Sequence, residues 1–338
     1  MKRWTLLAFC CLLVIFTMAG CEKKVKETAG KNEHVEKKKP ERKQQPFQNV
    51  YPLTGIATNH KTDARPIGVM INNHWKARPQ SGLHKADIVY EVLAEGGITR
   101  FLAIFQSEMP VIVGPVRSAR DYFVDLSQGY HSIYVFHGWS PKAKEMLTGG
   151  TIDSLNGLKY DGSLFKRVSF RQAPHNSYIT YKNIIKGAKQ EGFALTDKIK
   201  PLPFLKKEEI KGDKAVSVLV TYNRNEKVNY TYHKARNAYV RSSEGEPTID
   251  RETKTPIEAN NVFIVEARHH VIDKKGRIGI DLVSGGNALL VQNGVARKIK
   301  WQNDRGRIIP VGTGFIPGKT WINIVPADPG LEKIVTIQ

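Results

Sequence analysis

Seven arginines lie between residues 51 and 195: Arg65, Arg78, Arg100, Arg117, Arg120, Arg167 and Arg171. A guanidinium is a planar fork of donors that fits a carboxylate or a phosphate. Two of them frame Gly114-Pro115-Val116-Arg117-Ser118-Ala119-Arg120, which follows the apolar run Phe101 to Phe105. This stretch reads as opening a helix from Ala119 to Gln128. Ser118 is expected as its N-cap, and Asp121 stands three residues on, at capping-box spacing. A helix start presents unpaired N–H groups and partial positive charge. With two arginines beside it, that end would be an anion site. The competing reading is that each arginine pairs with Asp63, Asp87, Glu91, Glu95, Asp121 or Asp125 and knits loops together. Both remain open.

Acid–base chemistry has four candidates. His137 and His175 could carry protons, with Asn72 and Asn176 as polar neighbours at strand and loop ends. Glu91 and Glu95 could flank a glycosidic bond, since glycan cleavage uses two carboxylates. If Leu93 pairs with Ile98, Glu91 lies opposite Arg100 as an ordinary cross-strand pair. Gly138-Trp139-Ser140-Pro141-Lys142 lacks the last glycine of a nucleophile elbow, so Ser140 reads as a helix N-cap with Pro141 at the first position. No His or carboxylate spacing calls for a metal, and no cofactor is expected. His269-His270 reads as an exposed pair. Trp139, Trp301 and Trp321 offer faces for sugar stacking, against the commoner fate of tryptophan as core.

The elements that would position these groups follow from periodicity. Ile67 to Ile71, Asp87 to Leu93, Ile98 to Gln106 and Ser132 to Phe136 read as strands. Lys142 to Leu147 and Tyr181 to Gln190 read as helices, and Gly149 to Gly162 as a long connection. Pro201, Pro203 and a Lys/Glu cluster mark a linker at 196–214. Beyond it strands dominate: Ala215 to Tyr222, Lys227 to Tyr232, Asn237 to Arg241, Asn261 to Glu266, Gly276 to Leu282 and Thr320 to Pro326. Ala288 to Gln292 and Val295 to Trp301 flank Asn293-Gly294, a type I′ hairpin signal. The expectation is a mixed-sheet α/β or α+β domain over 51–195 and a mainly antiparallel β domain over 215–338.

The first residues give an address. Lys2 and Arg3 precede an apolar run, Trp4 to Met18, and then Ala19-Gly20-Cys21. Residues 1–20 read as a lipoprotein signal peptide. Cleavage would leave Cys21 to carry acyl chains such as palmitate, an anchor worth about 0.8 kcal/mol per buried CH₂. Cys10 and Cys11 leave with the leader, so no thiol remains for a disulfide or a nucleophile. Residues 21–50 are rich in Lys, Glu, Gln and Pro and read as a disordered tether. The formal net charge is +20. Outside the membrane that charge points to anionic lipid, wall polymers or peptidoglycan carboxylates, and nucleic acid is not an expected partner.

Several stretches resemble one family. Arg65-Pro66-Ile67, Ala77 to Leu83, Ala86 to Glu91, Glu95 to Arg100, Gly114 to Arg120 and Ala173-Pro174-His175-Asn176 are similar to the YerB-like lipoproteins, as are Asp250, Ala259-Asn260-Asn261-Val262 and Thr320-Trp321-Ile322. The resemblance implies an N-terminal and a C-terminal domain on a bacterial lipoprotein, and it brings no established activity. The expectation is an extracytoplasmic, membrane-anchored protein that binds an anionic envelope ligand or an envelope protein through the arginines. The alternatives are an enzyme acting on wall glycan or phosphate polymer, and a regulator of wall synthases or hydrolases by protein contact.

Overall fold

Three largely apolar strands meet in the middle of one sheet. In the computed structural model, which describes residues 47–206 and 210–338, Ile67–Asn72, Ile88–Leu93 and Thr99–Phe105 are buried at every position. Such runs are what a strand covered on both faces requires. The signal peptide, Cys21 and most of the tether lie outside the described residues. Asn49–Val50, at the tether's end, pairs with Ala57–Thr58.

The central sheet has 11 strands and draws on both halves of the chain. Thr320–Pro326 runs parallel to Asn261–Ala267 on one side and to Ile88–Leu93 on the other. Beyond Ile88–Leu93 the order continues through Thr99–Phe105, Ile67–Asn72, Ile133–Phe136 and Ser154–Asn156. Beyond Asn261–Ala267 it continues through the Gly286–Gln292 and Val295–Asp304 hairpin to Asp213–Lys214. The last of these falls inside the segment expected as linker. Residues 46–338 form one compact unit.

Strand alternation sorts the core into two layers. Val69, Val89, Phe101 and Trp321 point to one face. They meet Val218, Val220, Val228, Tyr230 and Tyr239 of a second, six-stranded sheet. Met70, Tyr90, Leu102 and Ile104 point to the other face. They meet Tyr122, Phe123 and Leu126 of the Asp121–Gln128 helix, and Ala143 and Leu147 of the Pro141–Thr148 helix. The molecule is thus mixed α/β in its first half and mainly antiparallel β in its second.

Three local expectations need correction. Leu93 pairs with Thr99, not Ile98, so Glu91 lies opposite Phe101 and Val92 opposite Arg100. The Glu95–Gly97 turn takes one residue more than a tight hairpin. A slip of one residue sends a side chain to the other face, and Glu91 and Arg100 therefore part. The helix starts at Asp121 with Arg120 at its cap, not at Ala119 after Ser118. Ser118 Oγ donates instead to the His137 carbonyl (3.1 Å). Residues 149–162 are not simply a connection; they hold the Ser154–Asn156 strand and the Gly157–Tyr160 helix.

The halves are joined by buried polar contacts. Glu91, fully enclosed, takes Arg241 in a forked pair, Nη2 to Oε1 at 2.8 Å. Its other oxygen accepts from Trp321 Nε1 (2.9 Å). Glu226 accepts from Arg78 Nη2 (2.8 Å) and Asn73 Nδ2 (3.1 Å). Asp250 accepts from the Gly82 amide (2.6 Å).

Candidate functional site

The Gly114–Arg120 stretch lies extended across the carboxyl ends of two parallel strands, Ile67–Asn72 and Ile133–Phe136, and enters the helix only at its last residue, the cap Arg120. The Arg117 amide donates to the Met70 carbonyl (2.9 Å), and the Arg117 carbonyl accepts from the His137 amide (2.9 Å). Val116 donates to the Ser177 carbonyl (2.7 Å). The loops that leave these strand ends bring in Asn72 to Ala77 and His137 to Ser140. The carboxyl ends of parallel strands are where open α/β sheets take ligands. Gly138, at φ +84°, lets its loop pass beside Ser118; a Cβ there would meet Ser118 Oγ at 3.0 Å.

Three arginines and one carboxylate form the charged centre. Arg120 holds Glu95 by two bonds, Nε to Oε1 at 2.5 Å and Nη2 to Oε2 at 2.8 Å. Arg100 donates to the Ser118 carbonyl (2.7 Å) and stands 3.7 Å from Glu95. Burial, helped by the neighbouring Arg120 charge, pulls Arg100 down to about 10. Burial works to raise the Glu95 carboxyl, but the Arg120 bonds outweigh it and hold it below its ordinary value. Arg117 is half-buried. Its guanidinium has no hydrogen-bond or ion-pair partner among the described residues. Burial and the Arg120 charge lower its affinity for its proton, with Glu95 the one neighbour acting the other way. One carboxylate therefore faces three cations.

Beside Arg117 stands a row of rings. Asn72 Oδ1 accepts from the His74 amide (3.0 Å), which orients its Nδ2 as donor to His175 Nδ1 (2.8 Å). His74 Nδ1 accepts from the Lys76 amide (3.1 Å). Both rings thus carry their proton on Nε2 when neutral. The His74 ring lies 4.7 Å from His175 and 5.4 Å from Trp75. Burial first, then the charges of Lys76 and Arg117, lower the His74 pKa; burial, His74 and Arg117 do the same to His175.

His137 looks at first like half of a catalytic pair, since its Nδ1 meets Ser177 Oγ at 2.8 Å. Arg167 Nη2 donates to the other ring nitrogen (2.9 Å), so the imidazole gives its proton to the serine and cannot take one from it. Ser177 is also buried. Burial and Arg167 lower the His137 pKa. Arg167 in turn holds Asp161 (2.9 Å) and Asn176 Oδ1 (3.1 Å).

The remaining candidates serve elsewhere. Arg65 pairs with Asp153 (2.6 Å) and the His131 carbonyl (2.7 Å), on a different surface. Arg78 clasps Glu226. Arg171 is a backbone staple, donating to the Ala77 and Pro79 carbonyls and to Tyr178 OH. Glu91 and Glu95 cannot flank one bond, because Glu91 is enclosed with Arg241. Trp301 and Trp321 are core and present no face to a sugar. His269 is not an exposed side chain; its Nδ1 lies against the Ala267 carbonyl (2.8 Å). Ser140 does cap the Pro141–Thr148 helix. A groove of about 510 Å³ lies elsewhere, between Glu266, Lys298 and Leu331, and contains no candidate residue.

Sequence reasoning passed over His74, Trp75, Ser177, Glu226 and Arg241. Trp75 had a usable signal, an aromatic side chain set in the polar loop Asn72-Asn73-His74. The partners of Glu91 and Arg78 had none, since they come from more than 140 residues away.

Comparison with known proteins places the chain. The family described as "Protein of unknown function (DUF3048) N-terminal domain" matches residues 53–194, and its C-terminal counterpart matches 218–322. A Bacillus subtilis (strain 168) protein named "Putative lipoprotein YerB" is 50% identical over 337 residues, covering 96% of each chain. The crystal structure of YerB protein from Bacillus subtilis superposes with a TM-score of 0.81 at 52% identity, over 86% of this chain and 100% of that one. This chain belongs to the DUF3048 family, whose two domains it carries in order.

Proposed function

We propose that this protein is a lipid-anchored receptor on the outer face of the cytoplasmic membrane, taking an anionic ligand of the cell envelope at Arg117. The anchor reading rests on Cys21 after a signal-like leader and on the name of the Bacillus subtilis relative. The ligand reading rests on one observation: the Arg117 guanidinium is half-buried beside Arg100 and Arg120, with only the shared Glu95 carboxylate, among the described residues, to balance them. Holding a partly desolvated cation without its own counter-ion is unfavourable. An arriving carboxylate or phosphate relieves that cost and gains a forked, charge-assisted bond.

The test compares Arg117→Ala with Arg65→Ala, whose guanidinium is engaged by Asp153. Binding is measured to muropeptides, teichoic acid and lipid-linked wall precursors, with thermal melting to verify folding. Arg117→Ala should lose about tenfold or more in affinity, a charge-assisted bond's worth, and Arg65→Ala should bind as the parent does. A folded Arg117→Ala that binds unchanged removes the receptor reading.

A further inference from the structure

We propose that the ligand is a saccharide bearing an acidic substituent, with its ring lying on Trp75 and its anion on Arg117. This rests on the receptor reading above and adds to it a chemical class and a second contact point.

Trp75 opens the short turn Trp75–Ala77 and is 67% exposed, a large indole face on the solvent side of the site. It is not isolated. Its ring stacks on His74 at an interplanar angle of 29°, and His74 lies against His175 at 33°. The three rings stand in a row at the loop that leaves Asn72, whose backbone amide donates to the Pro115 carbonyl (2.9 Å) two residues before Arg117, and the Arg117 charge reaches both imidazoles. Lys76 sits 4.9 Å from the Trp75 ring centroid.

The three kinds of group along this row differ, and together they select. A flat aromatic face suits the C–H side of a pyranose, which water solvates poorly. Burial and the neighbouring cations favour the neutral form of both imidazoles, and their Nδ1 atoms are occupied. Each therefore offers an Nε2–H, and among the described residues neither has a hydrogen-bond partner; a sugar hydroxyl or acetamido oxygen accepts from such a group. Arg117 supplies the fork for a carboxylate or phosphate. A free inorganic anion would use only the arginine, and a neutral sugar only the rings. A muramic acid whose lactyl carboxylate is free of peptide and a glycosyl phosphate of a wall polymer share the required chemistry, a pyranose with an anionic oxygen group on its rim.

The experiment is calorimetric titration of the full chain with four probes: the N-acetylglucosaminyl–N-acetylmuramic acid disaccharide, N-acetylglucosamine 1-phosphate, inorganic phosphate and N-acetylglucosamine. One or both acidic sugars should bind at least about tenfold more tightly than the free anion and the neutral sugar. The tighter of the two identifies peptidoglycan or phosphate polymer as the source. Trp75→Ala, a change at an exposed side chain, should weaken the acidic sugars about five- to tenfold and leave phosphate unchanged. Trp75→Phe should restore part of the loss. If Trp75→Ala binds acidic sugars like the parent while Arg117→Ala loses them, the saccharide inference falls and the receptor reading stands. If neither variant changes binding, both fall. Phosphate binding as tightly as the acidic sugars overturns the inference as well.

Discussion

Replacing Arg241 by methionine tests whether the seam between the two halves depends on a charge buried in it. The Arg241 side chain is 1% exposed and the Glu91 side chain 0%. The guanidinium lies 5.2 Å from the Phe101 ring centroid and 4.9 Å from that of Trp321, and also donates to Thr248. Methionine keeps much of the stem's volume, so little of the loss would come from packing. What it leaves is a carboxylate sealed from water with two donors, Thr99 Oγ1 (2.9 Å) and Trp321 Nε1 (2.9 Å), and no cation. Breaking one side of such a pair costs about 3–5 kcal/mol. For a unit of this size that lowers the melting temperature by roughly 6–10 °C. Urea unfolding followed by tryptophan fluorescence reads it directly, because Trp321 touches the pair. Glu91→Gln/Arg241→Met should recover more than half of the loss, since the glutamine Oε1 accepts from Trp321 Nε1, its Nε2 donates to Thr99 Oγ1, whose own hydroxyl proton turns to Glu226 Oε1 (3.2 Å), and no unpaired carboxylate remains at position 91. A loss under about 1 kcal/mol in Arg241→Met refutes the reasoning, given the magnitude expected for a sealed pair. So does a double variant as unstable as the sum of the single ones, which would mean that Glu91 and Arg241 do not act on each other.

Two further outcomes follow from the same geometry. Burial pushes the Glu226 carboxyl up to about 7, against the pull of Arg78. A carboxyl raised in the folded state takes up a proton on folding, so its favourable contribution is complete below its ordinary 4.5 and is lost as pH rises through about 7. Relative to Glu226→Gln, the parent should therefore gain up to about 3 kcal/mol between roughly pH 8 and pH 4; a stability difference that does not change with pH refutes this assignment. Asn293-Gly294 turns with φ of +50° and +78°, and a Cβ on Gly294 would meet the Tyr232 ring at 2.9 Å. Gly294→Ala should cost about 1–2 kcal/mol in unfolding free energy; an unchanged midpoint would mean that the turn tolerates another geometry.

Local pattern made much of the fold legible. The Tyr181–Gln190 helix and the Thr320–Pro326 strand have the bounds that periodicity gives, and the Asn-Gly hairpin turns as its residues demand. The errors came where tertiary contacts choose between near-equal local options. Ser118 has the chemistry of an N-cap. The backbone around it is drawn into bonds with Met70, His137 and Gly138, and the helix begins only after those bonds end, at Asp121, two residues later than Ala119. At Glu95-Gly96-Gly97 two glycines at positive φ allow more than one turn length. The longer turn shifts register by one, and Glu91 pairs not with Arg100, nine residues away, but with Arg241, 150 residues away.

The arginines show why a site of this kind is half visible from sequence. Side-chain type says that seven guanidinium groups will seek oxygen acceptors, and the fold grants this to six of them. Arg65, Arg78, Arg120 and Arg167 find carboxylates, while Arg100 and Arg171 find carbonyls. Which one is left over depends on where the acids land: among the described residues Glu95 alone reaches the Arg100–Arg117–Arg120 group, while Glu91 lies on the opposite face with Arg241. The register that defeats the sequence reading of Glu91 is thus the one that puts Arg100 on the other face, with Arg117 and Arg120. Had Leu93 paired with Ile98 while Ile88–Leu93 kept its pairing with Thr320–Pro326, Arg100 would have turned to the Glu91 face, and the centre would have lost one of its three cations. The candidate site and the seam between the halves are therefore two consequences of one turn, with Glu91 committed to the second.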